Sequence, residues 1–139
     1  MVYIRNFKCF KCGAEHSLEE VKLMRVIRCK RCSYSLDVEY NYDSIDRVIL
    51  KDSFKREFPS HWKYWPFLPV EDVSRIVTMH EGGTPLFDVK RLADKLGFSR
   101  LFIKYEAANP TGSFKDRGSS LEITKAGEAG KEYIVTAST

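Results

Sequence analysis

Cysteine spacing sets the tightest limit on this chain of 139 residues. Cys9 and Cys12 form one C-x-x-C pair and Cys29 and Cys32 a second, with sixteen residues between the pairs. Each pair brings two thiolates together, and the stretch between is long enough for a hairpin that returns the second pair beside the first. That is the spacing of a tetrahedral zinc site built from two knuckles. Lys8, Lys11, Arg28, Lys30 and Arg31 flank the sulfurs, and their charge favours thiolates and offsets the net negative charge of a Zn(Cys)4 centre. The alternatives are two disulfides or four free thiols. Basic C-x-x-C pairs with no signal peptide ahead of them fit a cytoplasmic protein and hence metal. Four cysteines complete the coordination, so the zinc is expected to be structural. His16, between the pairs, is then expected to pack or face solvent.

The second feature is the run Asn109-Pro110-Thr111-Gly112-Ser113-Phe114-Lys115-Asp116-Arg117-Gly118. Pro110-Thr111-Gly112 is a turn. Ser113 reads as an N-cap and Asp116 as its capping-box partner. Lys115 then falls in the first helical turn, at the positive end of the dipole, where a cation is disfavoured by about 0.3–1 kcal/mol. That place suits a lysine acting as a nucleophile. The N–H groups of the same turn would favour an anion nearby. By itself a capping box describes only a surface helix with an exposed lysine.

The whole string resembles the pyridoxal-phosphate lysine motif of the tryptophan-synthase-β-like (fold type II) enzymes, and above all that of the threonine synthase family. The resemblance implies that Lys115 holds pyridoxal 5′-phosphate as a Schiff base and moves protons at the substrate's α and β carbons. The reaction it implies converts O-phospho-L-homoserine and water to L-threonine and phosphate. Glu81-Gly82-Gly83-Thr84-Pro85-Leu86 is similar to a segment that in this family precedes the first strand of the cofactor domain. Here it precedes the apolar run Leu101-Phe102-Ile103. Ala137-Ser138-Thr139 resembles the start of the family's A-S-T-G-N loop, which assigns Ser138 and Thr139 to the substrate and Thr139 also to the cofactor. The glycine and asparagine of that loop do not follow in this sequence, nor do the family's phosphate-binding glycine loop and most of its sheet. Tyr105 also departs from the pattern, standing where a small acidic or amide residue is expected.

The expected fold class is therefore α/β: an N-terminal zinc ribbon followed by the incomplete start of a tryptophan-synthase-β-like domain, the N-terminal fragment of such an enzyme. A homo-oligomer is compatible with the full-length enzyme. A cysteate-synthase-like reaction on O-phosphoserine would use the same lysine. From other functional classes come an inactive remnant and a ribbon that works as a protein- or nucleic-acid-binding module.

Composition narrows these options. The chain is 43% hydrophobic and 30% charged, which is enough apolar material for a core. No apolar stretch approaches the length of a membrane span. The formal charge of +4 falls to +2 once four zinc-bound thiolates and the ion are included, so basicity argues weakly for nucleic acid, and no such partner is expected. Three zones follow: ribbon at 1–41, connecting helix and aromatic segment at 42–88, cofactor-domain start at 89–139. Val26-Ile27 and Leu36–Tyr40 read as strands. Asp43 or Ser44 caps a helix running to about Phe58, with Ile45, Val48 and Ile49 on one face, and Pro59 stops it. The aromatic stretch from Phe58 to Pro69 is expected to pack across the main domain, with His61 and His80 structural. Lys90–Leu96 reads as a helix closed by Gly97, Leu101–Tyr105 as a strand, Ser113 to about Ala129 as a helix ended by Gly130, and Tyr133–Ala137 as a parallel partner strand. Gly118, Ser119 and Ser120 suggest close approach of a ligand or backbone.

Overall fold

The computed structural model describes residues 3–22, 27–55 and 60–136. Its N-terminal part is a three-stranded antiparallel sheet in the order β2-β1-β3, from β1 (Ile4–Cys9), β2 (Glu15–His16) and β3 (Leu36–Tyr40). β3 falls where its apolar–polar alternation places it. β1 alternates too: Phe7 and Cys9 turn inward while Lys8 stays in solvent. Phe7 stands opposite His16 on one side and Val38 on the other, so both ladders cover the same buried ring. Val26 lies outside the described residues, and Ile27 is not in a strand.

The helix α1 (Leu18–Lys22) begins with a reciprocal capping box: Ser17 Oγ accepts from the Glu20 N–H (3.1 Å), and Glu20 Oε2 accepts from the Ser17 N–H (2.9 Å). The connecting helix α2 is Arg47–Phe54, preceded by a 3-10 turn at Tyr42–Ser44, so it starts later than Asp43 or Ser44 would set it. The side chains of Val48 and Ile49, and residues 56–59, lie outside the described set. The aromatic stretch winds into a 3-10 helix, His61–Phe67, capped by Ser60 Oγ, which accepts from the Trp62 N–H. It packs on the N-terminal part through Trp65 against Tyr3, on the Tyr42 turn through Phe67, and on α2 through Tyr64 against Phe54.

Of the parallel β-α-β unit expected from Leu101–Tyr105, the helix after Ser113 and Tyr133–Ala137, the first strand and the helix are present, no strand is seen at 133–136, and Ala137 lies outside the described residues. β4 (Leu86–Asp88) and β5 (Phe102–Lys104) pair antiparallel, Phe87 opposite Ile103, with α3 (Lys90–Leu96) between them in sequence. Residues 133–136 form no strand: a strand is defined by its ladder, and no described segment pairs with them. α3 ends as expected at Gly97, which takes the left-handed conformation (φ 75°).

The last helix, α4 (Lys115–Glu128), is held unusually. Its inward positions Asp116, Ser120, Thr124 and Glu128 recur every four residues and are all polar. Ser120, Thr124 and Glu128 bond the irregular segment 71–81, which has no sheet partner for its own backbone, while Asp116 turns to Thr111. Thr124 Oγ1 accepts from the Val77 N–H (3.0 Å), and Glu128 Oε1 accepts from the N–H groups of Glu71 and Asp72 (2.8 and 2.9 Å). Among the described residues no helix is long and apolar enough to cross a membrane.

Thr124 is fully buried, so Thr124→Val keeps its shape and leaves the Val77 N–H without an acceptor. This is expected to cost about 1–3 kcal/mol in urea unfolding. Ile123→Thr, on the exposed neighbouring position, should change stability by no more than about 0.5 kcal/mol.

Candidate functional site

The two C-x-x-C knuckles close on each other. Cys9 and Cys29 each receive the fourth-following N–H on their carbonyl, from Gly13 (3.0 Å) and Ser33 (2.8 Å), and both of those residues have positive φ. The Sγ atoms lie 3.4 Å apart for Cys9–Cys32 and 3.6 Å for Cys12–Cys29 and Cys12–Cys32, and all four are within 4.8 Å of one another. Zn–S bonds of about 2.3 Å in a tetrahedron give S···S edges of about 3.8 Å, so the cluster fits such a metal, whereas a disulfide needs about 2.05 Å. Charge points the same way. Burial raises the Cys29 thiol, yet hydrogen bonds from His16 and from the Cys32 and Arg31 backbone carry it down to about 6. The Tyr34 N–H favours ionisation of Cys32, but burial and the three neighbouring sulfurs outweigh it and push that thiol up to about 12. Four thiolates this close need a cation among them. Two of the flanking bases are engaged elsewhere, Lys30 with Glu20 (3.0 Å) and Lys8 with Glu39 (3.8 Å). His16 is buried and packs, and the cluster holds no histidine.

Lys115 is the first residue of α4, as the sequence suggested, but the cap differs. Phe114 occupies the cap position and its side chain makes no cap bond. Asp116 turns back into the loop and accepts from the Thr111 N–H (2.9 Å) and the Thr111 hydroxyl. Thr111 competes successfully for this carboxylate because Gly112 (φ 73°) reverses the chain and brings both of its donors to the buried Asp116. Ser113 Oγ instead accepts from the Lys115 N–H (3.2 Å). The Asp116 and Arg117 N–H groups bond the carbonyls of Ser113 and Phe114 (3.3 Å each), so the first turn offers an anion little. The Lys115 side chain is exposed, and its amine has no hydrogen-bond or ion-pair partner among the described residues. An accessible, unpaired primary amine at a fixed helix start is what an aldehyde cofactor requires. Ser138 and Thr139 lie outside the described residues. Gly118 faces open space, while Ser120 is buried and donates to Glu81 (2.6 Å).

Two carboxylates organise the surroundings of Lys115, and sequence reading assigned neither a role. Glu81 is wholly buried, and its side chain accepts from Ser120 Oγ, the Met79 N–H (2.8 Å) and Thr78 Oγ1 (3.0 Å). Burial raises its carboxyl pKa, but these bonds outweigh burial and keep it ionised. His61 Nδ1 stands 3.1 Å from Glu81 Oε1 without hydrogen-bond alignment. Burial lowers the His61 pKa against the pull of that charge, so this is a neutral ring beside a carboxylate. Glu106 takes the Arg117 guanidinium on both oxygens (2.9 Å each) and the Thr84 hydroxyl (2.6 Å). The pattern that could have revealed them is an acid at the start of each of two Gly- or Pro-bearing loops.

The Arg117 fork, then Thr84 and Asn109, lowers the Glu106 carboxyl from the usual 4.5 to about 2. A depressed folded-state pKa adds stability that is present above the unfolded value and lost as pH falls through the folded one. The urea midpoint should therefore drop as pH falls from 4.5 toward 2, and Glu106→Gln should flatten that part of the profile. Equal slopes would show that Glu106 does not contribute.

Residues 77–139 match the family model of pyridoxal-phosphate dependent enzymes. The chain is 48% identical to a threonine synthase of Methanosarcina acetivorans over 134 residues, 96% of this chain and 31% of that protein. It is 39% identical over 132 residues to a threonine synthase of Methanocaldococcus jannaschii, again 31% of that protein. A threonine synthase of Synechocystis is 49% identical over 77 residues, 55% of this chain and 20% of that protein. The chain thus spans under a third of the length of the two relatives it matches almost throughout. Residues 77–139 are thus similar to pyridoxal-phosphate dependent enzymes, and the chain is similar to threonine synthases along nearly all of its length.

Proposed function

We propose that this chain supplies the cofactor lysine and a zinc module to a threonine synthase-type enzyme, which forms L-threonine and phosphate from O-phospho-L-homoserine and water. The observation that carries the reading is Lys115. It opens α4 with a free, exposed amine inside the string Ser113-Phe114-Lys115-Asp116-Arg117, and relatives named threonine synthase match 95–96% of the chain. Pyridoxal phosphate, when bound, supplies an electron sink for charge at the substrate's α carbon. Lys115 Nζ would hold the cofactor and, when free, would take and return protons at the substrate's α and β carbons. By the resemblance, Ser138 and Thr139 would bind the substrate's anionic group, and Thr139 would also contact the cofactor.

Residues 1–41 form the metal module, 42–88 the connector and 89–139 the start of the cofactor domain in this reading. Zinc is the metal, since four thiolates at tetrahedral spacing suit it and leave no open position for catalysis. The ribbon sits against the lysine helix through Glu71, which pairs with Lys22 of α1 (2.7 Å) and Lys125 of α4 (3.3 Å).

The test is mass spectrometry of the purified chain after incubation with pyridoxal phosphate and borohydride reduction. One adduct per chain at Lys115, absent from Lys115→Ala, is expected. Labelling scattered over many lysines would contradict the reading for this chain. Metal analysis of the same sample should find one zinc per chain, and iron or no metal would contradict the zinc assignment.

A further inference from the structure

The loop 109–114 that delivers Lys115 is tied at both of its ends to one carboxylate. At the start of the loop, Asn109 is buried, and its Nδ2 donates to the Glu106 carbonyl (2.7 Å) and to Glu106 Oε2 (3.1 Å). After it, Arg117 closes a two-bonded fork on Glu106: Nε to Oε2 and Nη2 to Oε1. Between these ties Asp116 holds Thr111. Lys115 is thus followed directly by two residues, Asp116 and Arg117, whose side chains are both committed to the preceding turn.

The Gly82–Thr84 segment completes the arrangement. The Gly82 N–H donates to Asn109 Oδ1 (2.9 Å), and Thr84 Oγ1 lies 3.3 Å from Arg117 Nη2. A Cβ at Gly82 would stand 2.4 Å from the His61 backbone nitrogen and 2.8 Å from Arg117 Nη1, so only glycine lets the three segments meet.

We infer that Glu106 and Arg117 are positioning residues for Lys115, forming a charged clamp that sets the lysine loop before any cofactor arrives. The inference rests on Lys115 being the cofactor lysine. Two consequences follow. First, the Arg117 charge is engaged by Glu106 and is not the cation that receives an anionic group. Second, the two parallel N–H···O bonds demand a planar guanidinium, which lysine cannot replace.

Hydrogen–deuterium exchange on the whole chain reads the clamp, and the pyridoxal phosphate label reads the lysine. Glu106→Gln and Arg117→Ala should each speed amide exchange across 110–117 by about tenfold or more, leave the ribbon peptide 4–16 unchanged, and reduce the share of label on Lys115 by at least about fivefold. Arg117→Lys, which keeps the charge and loses the fork, should fall between wild type and Arg117→Ala in both readouts. Unchanged exchange in the loop, or undiminished Lys115 selectivity in a variant with a loosened loop, overturns the inference. Should the first two variants unfold, Thr84→Val leaves the pair and removes one hydroxyl. It should raise loop exchange by about two- to fivefold, and no change there overturns the inference as well. If wild type shows a slow loop yet no selective label on Lys115, the cofactor-lysine reading fails while the clamp itself stands.

Discussion

A buried carboxylate without partners would be untenable, and Glu81 shows how this chain uses one with partners. Its side chain draws in a hydroxyl from α4 and two donors from the turn just before it. Its backbone carbonyl takes the His61 N–H (3.0 Å) and the Ser60 hydroxyl (3.0 Å). One residue therefore joins the aromatic segment, the loop ahead of β4 and the helix that opens with Lys115. The charge is retained because the bonds formed to it exceed the penalty of burial. Removing a single partner would leave the rest of that penalty uncompensated, which makes the junction cooperative.

The same logic runs along α4. A helix with Asp116, Ser120, Thr124 and Glu128 facing inward cannot be held by apolar burial, and it is not. Thr124 and Glu128 accept from the backbone of an irregular segment that has no ladder of its own, Ser120 donates to Glu81 in the same segment, and Asp116 accepts from Thr111. Such an arrangement fixes position well, because hydrogen bonds to backbone donors are directional in a way that apolar contact is not. The N-terminal part adds support through Lys22, Glu71 and Lys125. These are partly exposed ion pairs, so their energetic share is modest.

Much of this was legible in the residues, and what was not has a common cause. α3 with its Gly97 stop, β3 and the knuckles depend on neighbours in sequence, and periodicity or spacing identifies them. The capping box at Ser17 and Glu20 is equally local, though a five-residue helix carries too little periodicity to draw attention to it. β4 has three residues after a proline, too few for any period, and exists through its pairing with β5. The apolar run at 133–135 looks like a strand by composition and lacks a partner among the described residues. At the lysine, the Ser113–Asp116 pattern was a sound local inference, overturned by Thr111 competing for the same carboxylate. The roles of Glu81 and Glu106 are long-range, and a single sequence does not reveal which distant donors an acid will meet.

A double-mutant cycle between Glu81 and Ser120 tests most directly whether polar cross-links hold the lysine helix. Urea unfolding of wild type, Glu81→Gln, Ser120→Ala and the double variant gives the coupling free energy. The account expects about 1–3 kcal/mol, the range for a buried hydrogen bond to a charged group. Additive effects, with coupling below about 0.5 kcal/mol, would mean that the contact is incidental and that α4 is held by something else.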